Sequence, residues 1–312
     1  MKTKPLWAAL AATLILASCD KNDALTTNSG SAIRFTTTIA GNSDGSCIDT
    51  RAAFNPDGSG TFADGDKLAL RVTGSYGFPA VSIYTIGTTV LRWDDFAIAG
   101  NEGTLAFAGY YPSDAQVDND KNSFDIINNT NPDLLVAPAV TVTKGEPVHL
   151  AFRHVMHRLV VNLSGNALTA DELSRATVQL SRFMYSMAII DFTDATAFAD
   201  NNFTYADAPT QTGASVAFIL VPQDIIDVWS ENITITAGGR TLTYTLPATL
   251  PGNEATPATP RRLLGGHTLT LNLAINTANR RAAASATTPS TRAAATDDAL
   301  TLECVGIDVS GR

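Results

Sequence analysis

Charge is scarce in this chain. Asp, Glu, Lys and Arg make up 16% of 312 residues, only 21 of them Lys or Arg, and the formal net charge is −9. An acidic surface this poor in cations argues against nucleic acid as a partner and against charge-driven docking to anionic lipid. Cysteine is nearly missing, at three residues, too few for a disulfide framework. Histidine is as sparse, with His149, His154, His157 and His267. Only the pair in "RHVMHRL" tempts a metal reading. On a strand, residues three apart point to opposite faces, so both are read as structural. "DNDKNSFD" (118–125) has oxygen-bearing residues where a calcium loop has its first, third and fifth ligands. It lacks the glycine at the sixth position, and Asn129 stands where the twelfth-position glutamate belongs. A solvated loop fits better. There is no P-loop or GxGxxG. The pairs Asp94-Asp95 and Asp297-Asp298 are chain neighbours, which says nothing about the carboxylate separation that glycoside hydrolysis needs. No enzyme, cofactor or metal site is expected.

Long apolar runs are missing too. The longest mostly apolar stretch, Pro5 to Leu16, falls short of the ~20 residues that span a bilayer. It follows Lys2 and Lys4 and precedes Leu16-Ala17-Ser18-Cys19. This is the order of a bacterial lipoprotein signal, a positive n-region, a short h-region and small residues before a cysteine. Cys19 is therefore expected to carry the lipid and become the mature N-terminus, tethering an exported protein to the outer membrane. Residues 1–18 form the signal peptide and 19–31 a polar tether. Cys47 and Cys304 remain. In an oxidising compartment they either close one long loop or stay as free, small buried residues.

What the chain has in abundance is short alternating strands. "AIRFTTTIA" puts Ile33, Phe35, Thr37 and Ile39 on one side. "KLALRV", "VSIYTIG", "TLAFAGYYP", "FDIIN", "DLLVAPAVTV" and the long run "VHLAFRHVMHRLVVNLS" follow, each bounded by Gly, Pro, Asn or Asp. "ALTADELSRA" (167–176) predicts a short helix, since Thr169 and Glu172 form a capping box. A second block follows: "TVQLSRF", "SMAIIDF", "SVAFILVPQ", "ENITITAGG", "RTLTYTLPATL" and "HTLTLNLAIN". Gly238-Gly239 sits between two alternating runs and predicts a hairpin. Many short strands at regular spacing indicate β-sandwiches. The expected fold is all-β, with two tandem sandwich domains at 32–163 and 164–276 and the helix near their joint.

Residues 277–299 are rich in Ala, Thr, Ser and Arg and read as a low-complexity linker. After it, residues 300–312 alternate again. Leu300, Leu302 and Cys304 share one side, then the phase slips at Val305-Gly306 before Ile307 and Val309. A glycine at a phase slip predicts a β-bulge. On so long a leash, this strand pairs with a sheet edge of its own chain or of another. If it serves another chain, its deletion leaves both domains as stable as before.

Six segments, "DTRAAF", "FADGDKLAL", "NPDLLVAPA", "VHLAFRHVMHRLVVNL", "FILVPQ" and "GGHTLTLNLAI", occur in this order. With the lipobox, they make the chain resemble the Bacteroidetes fimbrillin family, subunits of type V pili and related cell-surface lipoproteins. The resemblance implies two β-sandwich domains of transthyretin-like topology and a lipid-anchored, surface-exposed location. It also implies that an arginine-specific protease cuts after Arg51, removing the lipid and the first strand. The vacated groove then receives a strand from another fimbrillin subunit, for which Leu300, Leu302, Ile307 and Val309 supply the donor face. The physics is β-augmentation, in which ladder hydrogen bonds give strength and alternate side chains give specificity. The other functions open to the chain are an anchor subunit and a non-polymerising adhesin for a host or bacterial surface ligand, such as a glycan. Trp93, Tyr110 and Tyr111 are the candidate aromatic platform for that ligand.

Overall fold

The computed structural model describes residues 32–41, 53–54, 59–74, 79–96, 103–129, 131–180, 184–200, 205–206, 208–225, 232–247, 250, 261–277 and 300–311. Cys19, Cys47, Arg51, the signal and tether segments and the 278–299 stretch lie outside the described residues.

Alternation along the first strand decides how it is used. Phe35–Ile39 lies parallel to Val148–His154, with Phe35 opposite Val148 and Ile39 opposite Phe152. Ile33 and Ile39 are buried, while Thr36 and Thr38 face water. These two strands sit within an eight-stranded sheet. Its order is Ala53–Phe54, Gly60–Thr61, Phe35–Ile39, Val148–His154, Leu135–Thr143, Thr104–Tyr111, Lys67–Thr73, Pro79–Thr85. One face of the sheet carries Leu68, Leu70, Phe107, Leu135, Leu150 and Phe152 into a single core. Trp93 and Phe96, from a short 3-10 turn, meet Phe107 edge-on at centroid distances of 5.8 and 6.2 Å.

The run "VHLAFRHVMHRLVVNLS" is not one strand. It breaks at Val155-Met156 into Val148–His154, in the first sheet, and His157–Ser164, in another. Both sides of the break alternate, so period alone does not reveal it. The polar residues flanking it are tied to different partners. His154 Nδ1 lies 3.1 Å from Asp133 Oδ1 and His157 Nδ1 lies 2.9 Å from the Leu264 carbonyl. The two histidines do not converge, although the reason is a change of sheet rather than opposite faces of one strand.

His157–Ser164 pairs in parallel with His267–Thr277 and antiparallel with Ser215–Leu220. The resulting sheet runs Ser215–Leu220, His157–Ser164, His267–Thr277, Leu300–Gly311. A second four-stranded sheet runs Gln211–Thr212, Thr177–Leu180, Asn232–Ala237, Arg240–Thr245. Leu159, Leu269 and Leu271 from the first meet Val178, Leu180 and Ile233 from the second in one core. That core also takes in Ala69, Tyr110 and Val136 from the far face of the eight-stranded sheet. A small sheet joins the two blocks of sequence directly, with Met187–Asp191 pairing with Ser123–Asp125.

The local expectations for the helix and the hairpin hold. Thr169 Oγ1 accepts the Glu172 N–H at 3.2 Å, and the Thr169 N–H reaches Glu172 Oε2 at 2.9 Å. The helix covers only Ala170–Ser174: none of its residues is fully buried, and the half-buried Leu173, packed against the core, is too narrow an apolar face to extend it. Gly238 and Gly239 have φ of 56° and 74°, the left-handed pair that a two-residue hairpin turn requires.

The calcium-like loop is a hairpin in which the side-chain oxygens of Asp118 and Asn122 are already committed. Asp118 Oδ1 accepts the N–H groups of Asp120 and Lys121, and Asn122 Oδ1 accepts from Arg71 at 2.8 Å. Among the described residues, no three His, Cys, Asp or Glu side chains cluster as a metal site would. Trp93, Tyr110 and Tyr111 are all buried. They are core residues and form no exposed platform.

Candidate assembly surface

The carboxy-terminal strand shows how a sequence irregularity becomes a matched surface. Leu300–Gly311 lies antiparallel to His267–Thr277, from Leu300 opposite Thr277 to Gly311 opposite His267. The strand therefore pairs within its own chain. The register shifts between Asn272 and Leu273, where Gly306 and Cys304 are the successive partners and Val305 is left over. This is the expected bulge. Its effect follows from the two-residue period of side chains on a strand. Without the extra residue in the count, Leu300, Leu302 and Cys304 stay in phase with Ile307 and Val309. All five pack against the core, while Val305 is 62% exposed.

Gly306 suits its place for a steric reason. A Cβ there would lie 3.2 Å from Asn272 Nδ2. Asn272 is held in turn, since its Oδ1 accepts from Asn162 Nδ2 at 2.9 Å and Asn162 Oδ1 accepts from Ser215 Oγ at 2.7 Å. A polar ladder thus runs across the sheet beside the bulge. On the core side, Cys304 is a free, half-buried thiol next to Tyr244. Burial first, and then the hydrogen bond and charge of Cys304, push the Tyr244 hydroxyl pKa well up.

Among the described residues, the carboxy-terminal strand stands at the end of its sheet, with one neighbour. Its side chains on the core face are only half-buried, in contrast to Leu269, Leu271, Leu273 and Ile275 beneath, which are fully enclosed. The sandwich interior is complete under a strand that covers it incompletely.

The amino-terminal strand is held in a comparable way. Its apolar side chains enter the first core, and Phe35 packs 5.0 Å from the Tyr84 ring and 5.6 Å from that of Phe107. Its backbone pairs along its length with Val148–His154, but with Gly60–Thr61 only at Ile39. Thr36 Oγ1 meets His149 Nδ1 at 2.9 Å on the outer face. This strand precedes Arg51 in the chain and its partners follow it. Leu300, Leu302, Ile307 and Val309, which the family resemblance would make a donor face, lie on a different sheet from the first strand. Sequence reasoning missed Tyr244 and Asn272, because their roles depend on strands about 30 residues or more away along the chain.

Among solved structures, a candidate cell adhesion protein from Bacteroides uniformis is similar at a TM-score of 0.55 and 15% identity. The match covers 91% of this chain and 99% of that one. A second candidate cell adhesion protein, from Bacteroides ovatus, gives 0.48 and 16% over 87% and 96% of the two chains. A fimbrial assembly protein from Parabacteroides distasonis gives 0.43 and 12% over 78% and 91%. At these identities only the first likeness bears on the argument, and it bears on fold alone. No curated protein matches the chain. A family model described as fimbrillin-like matches residues 97–290, well over half of the sequence. With its all-β sheets and carboxy-terminal edge strand, this chain belongs to the fimbrillin-like family.

Proposed function

We propose that the protein is a lipid-anchored surface subunit of a type V pilus, assembled with other fimbrillin subunits by protease-assisted donor-strand exchange. The observation that carries the reading is the placement of the first strand. Phe35–Ile39 is an apolar-faced strand, laddered to Val148–His154 and attached to the rest of the chain only through the segment that contains Arg51. One cut after Arg51 leaves it bound by non-covalent contacts alone. Its loss would open a groove bordered by the Val148–His154 edge and floored by Phe107 and Phe152. The strand at residues 300–312 has the alternation to fill such a groove in a neighbour. Cys19 supplies the outer-membrane lipid before the cut, and an arginine-specific protease supplies the cut.

A second reading rests on a different observation. In the monomer the carboxy-terminal strand closes its own sheet, Leu300 to Gly311 beside Thr277 to His267. This favours an anchor subunit, or a non-polymerising adhesin that keeps its lipid and binds a host or bacterial surface ligand. N-terminal sequencing of the mature protein from cells separates the two. A start at Ala52 supports polymerisation. An acylated Cys19 as the sole N-terminus overturns it in favour of the second reading. In parallel, Arg51→Ala is expected to give full-length monomers and no ladder on mild gels, and equal polymer yield removes Arg51 from the mechanism.

A further inference from the structure

Arg71 is a buried charge that assembly does not use. It lies on the Lys67–Thr73 strand, on the Ala69 face of the sheet, and is 6% exposed. Its Nη1 donates to the side-chain and main-chain oxygens of Asn119, and its Nη2 donates to Asn122 Oδ1 at 2.8 Å and, more weakly, to the Asn119 carbonyl. The guanidinium carbon sits 4.1 Å from the centre of the Phe192 ring. Every one of these partners is neutral. Charges taken out of water are paired as a rule, and among the described residues no carboxylate contacts this one. Burial accordingly lowers its pKa, while the hydroxyl of Tyr110 acts weakly the other way. The Nε–H has no hydrogen-bond partner among the described residues.

A cleft of about 400 Å³ opens beside this guanidinium, within the range of small-molecule sites. Ala106, Ala108 and Ala139 line it with short apolar side chains, and Thr73, Thr193 and Asp120 add polar groups. We propose that this cleft binds a sugar acid, a monosaccharide-sized ring with a single carboxylate seated against Arg71. The carboxylate supplies the missing countercharge and an acceptor for Nε–H. The alanines accept the C–H face of a ring, and the threonine hydroxyls and Asp120 meet its hydroxyl groups. Asp120 also disfavours a dianion such as sulfate, because a second negative charge would be held beside a carboxylate. The site is independent of strand exchange.

The test is calorimetric titration of the full mature chain with sodium glucuronate, glucose and sulfate. Saturable glucuronate binding is expected, at least about tenfold tighter than glucose or sulfate, a difference of ~1.4 kcal/mol. Ala106→Trp, which fills the cleft from the adjacent strand, is expected to abolish it. Thr193→Trp, on an exposed turn, blocks the same cleft without altering the sheet and should do the same. No saturable glucuronate binding, equal binding of glucose or sulfate, or unchanged affinity in folded Thr193→Trp protein would each overturn the proposal.

Discussion

Leu302 and Ile307 lie on opposite sides of the bulge, facing Ile275 and Leu271, and both are half-buried against the core. Truncating a fully buried Leu or Ile to Ala costs ~2–5 kcal/mol. At half burial, the transfer part scales to about 1–2.5 kcal/mol for each residue. Their partners are four residues apart on the adjacent strand, about 13 Å at strand rise, far enough for the two losses to add. Leu302→Ala with Ile307→Ala should therefore cost roughly 2–5 kcal/mol, against a typical domain stability of ~5–15 kcal/mol. If the sandwich melts as one unit, that lowers Tm by about 5–15 °C. Val305→Ala is the internal control, because the leftover residue of the bulge is exposed and its loss should stay within ~0.5 kcal/mol. The assay is urea denaturation of the wild type, the two single truncations, the double variant and Val305→Ala, read as a change in midpoint at constant m-value. A Val305→Ala loss as large as that of Ile307→Ala would refute the register. Two near-neutral truncations at Leu302 and Ile307 would refute the docking of this strand on its own sheet. The same arithmetic corrects the expectation that deleting the strand leaves stability unchanged, since five half-buried apolar side chains leave with it.

Deleting Val305 should be close to neutral or stabilising, because it turns the bulge into regular alternation without moving any of the five core-facing side chains; a large loss measured in the same urea series would count against the bulge. Cys19→Ala should abolish acylation and leave the protein unprocessed or soluble in the periplasm, and unchanged detergent partitioning would rule out the lipobox. The Glu172 pKa lies below the ordinary carboxylate value, chiefly through the Thr169 N–H and then its hydroxyl. The depressed folded-state pKa means that the box stabilises the helix above the unfolded pKa, and that this contribution fades as pH falls through the folded pKa. In an NMR titration, Thr169→Ala, which removes the hydroxyl but keeps the N–H, should move the Glu172 midpoint only part of the way upward toward the ordinary value, and an unmoved midpoint would show that the hydroxyl does not contribute.

Features that depend on neighbouring residues were legible in the sequence. The capping box at Thr169 and Glu172, the Gly238-Gly239 turn and the bulge at Val305-Gly306 each arise from backbone conformations that a few adjacent side chains decide. The all-β class was legible for the same reason, since a two-residue period implies one face in and one face out whatever the partner. What the tertiary structure alone decided is which strands meet. The alternation through "RHVMHRL" is as good on both sides of Val155-Met156, and nothing local marks the point where the chain leaves one sheet for another. The aromatic residues Trp93, Tyr110 and Tyr111 look alike in a core or on a platform until the opposing sheets are placed. Arg71 reads as an ordinary outward residue of an alternating strand. Only the Ser123–Asp125 hairpin and Phe192, brought over that face by pairing with Met187–Asp191, enclose its charge. Such contacts depend on long-range closure, which is cooperative across the whole core and has no signature in any single segment.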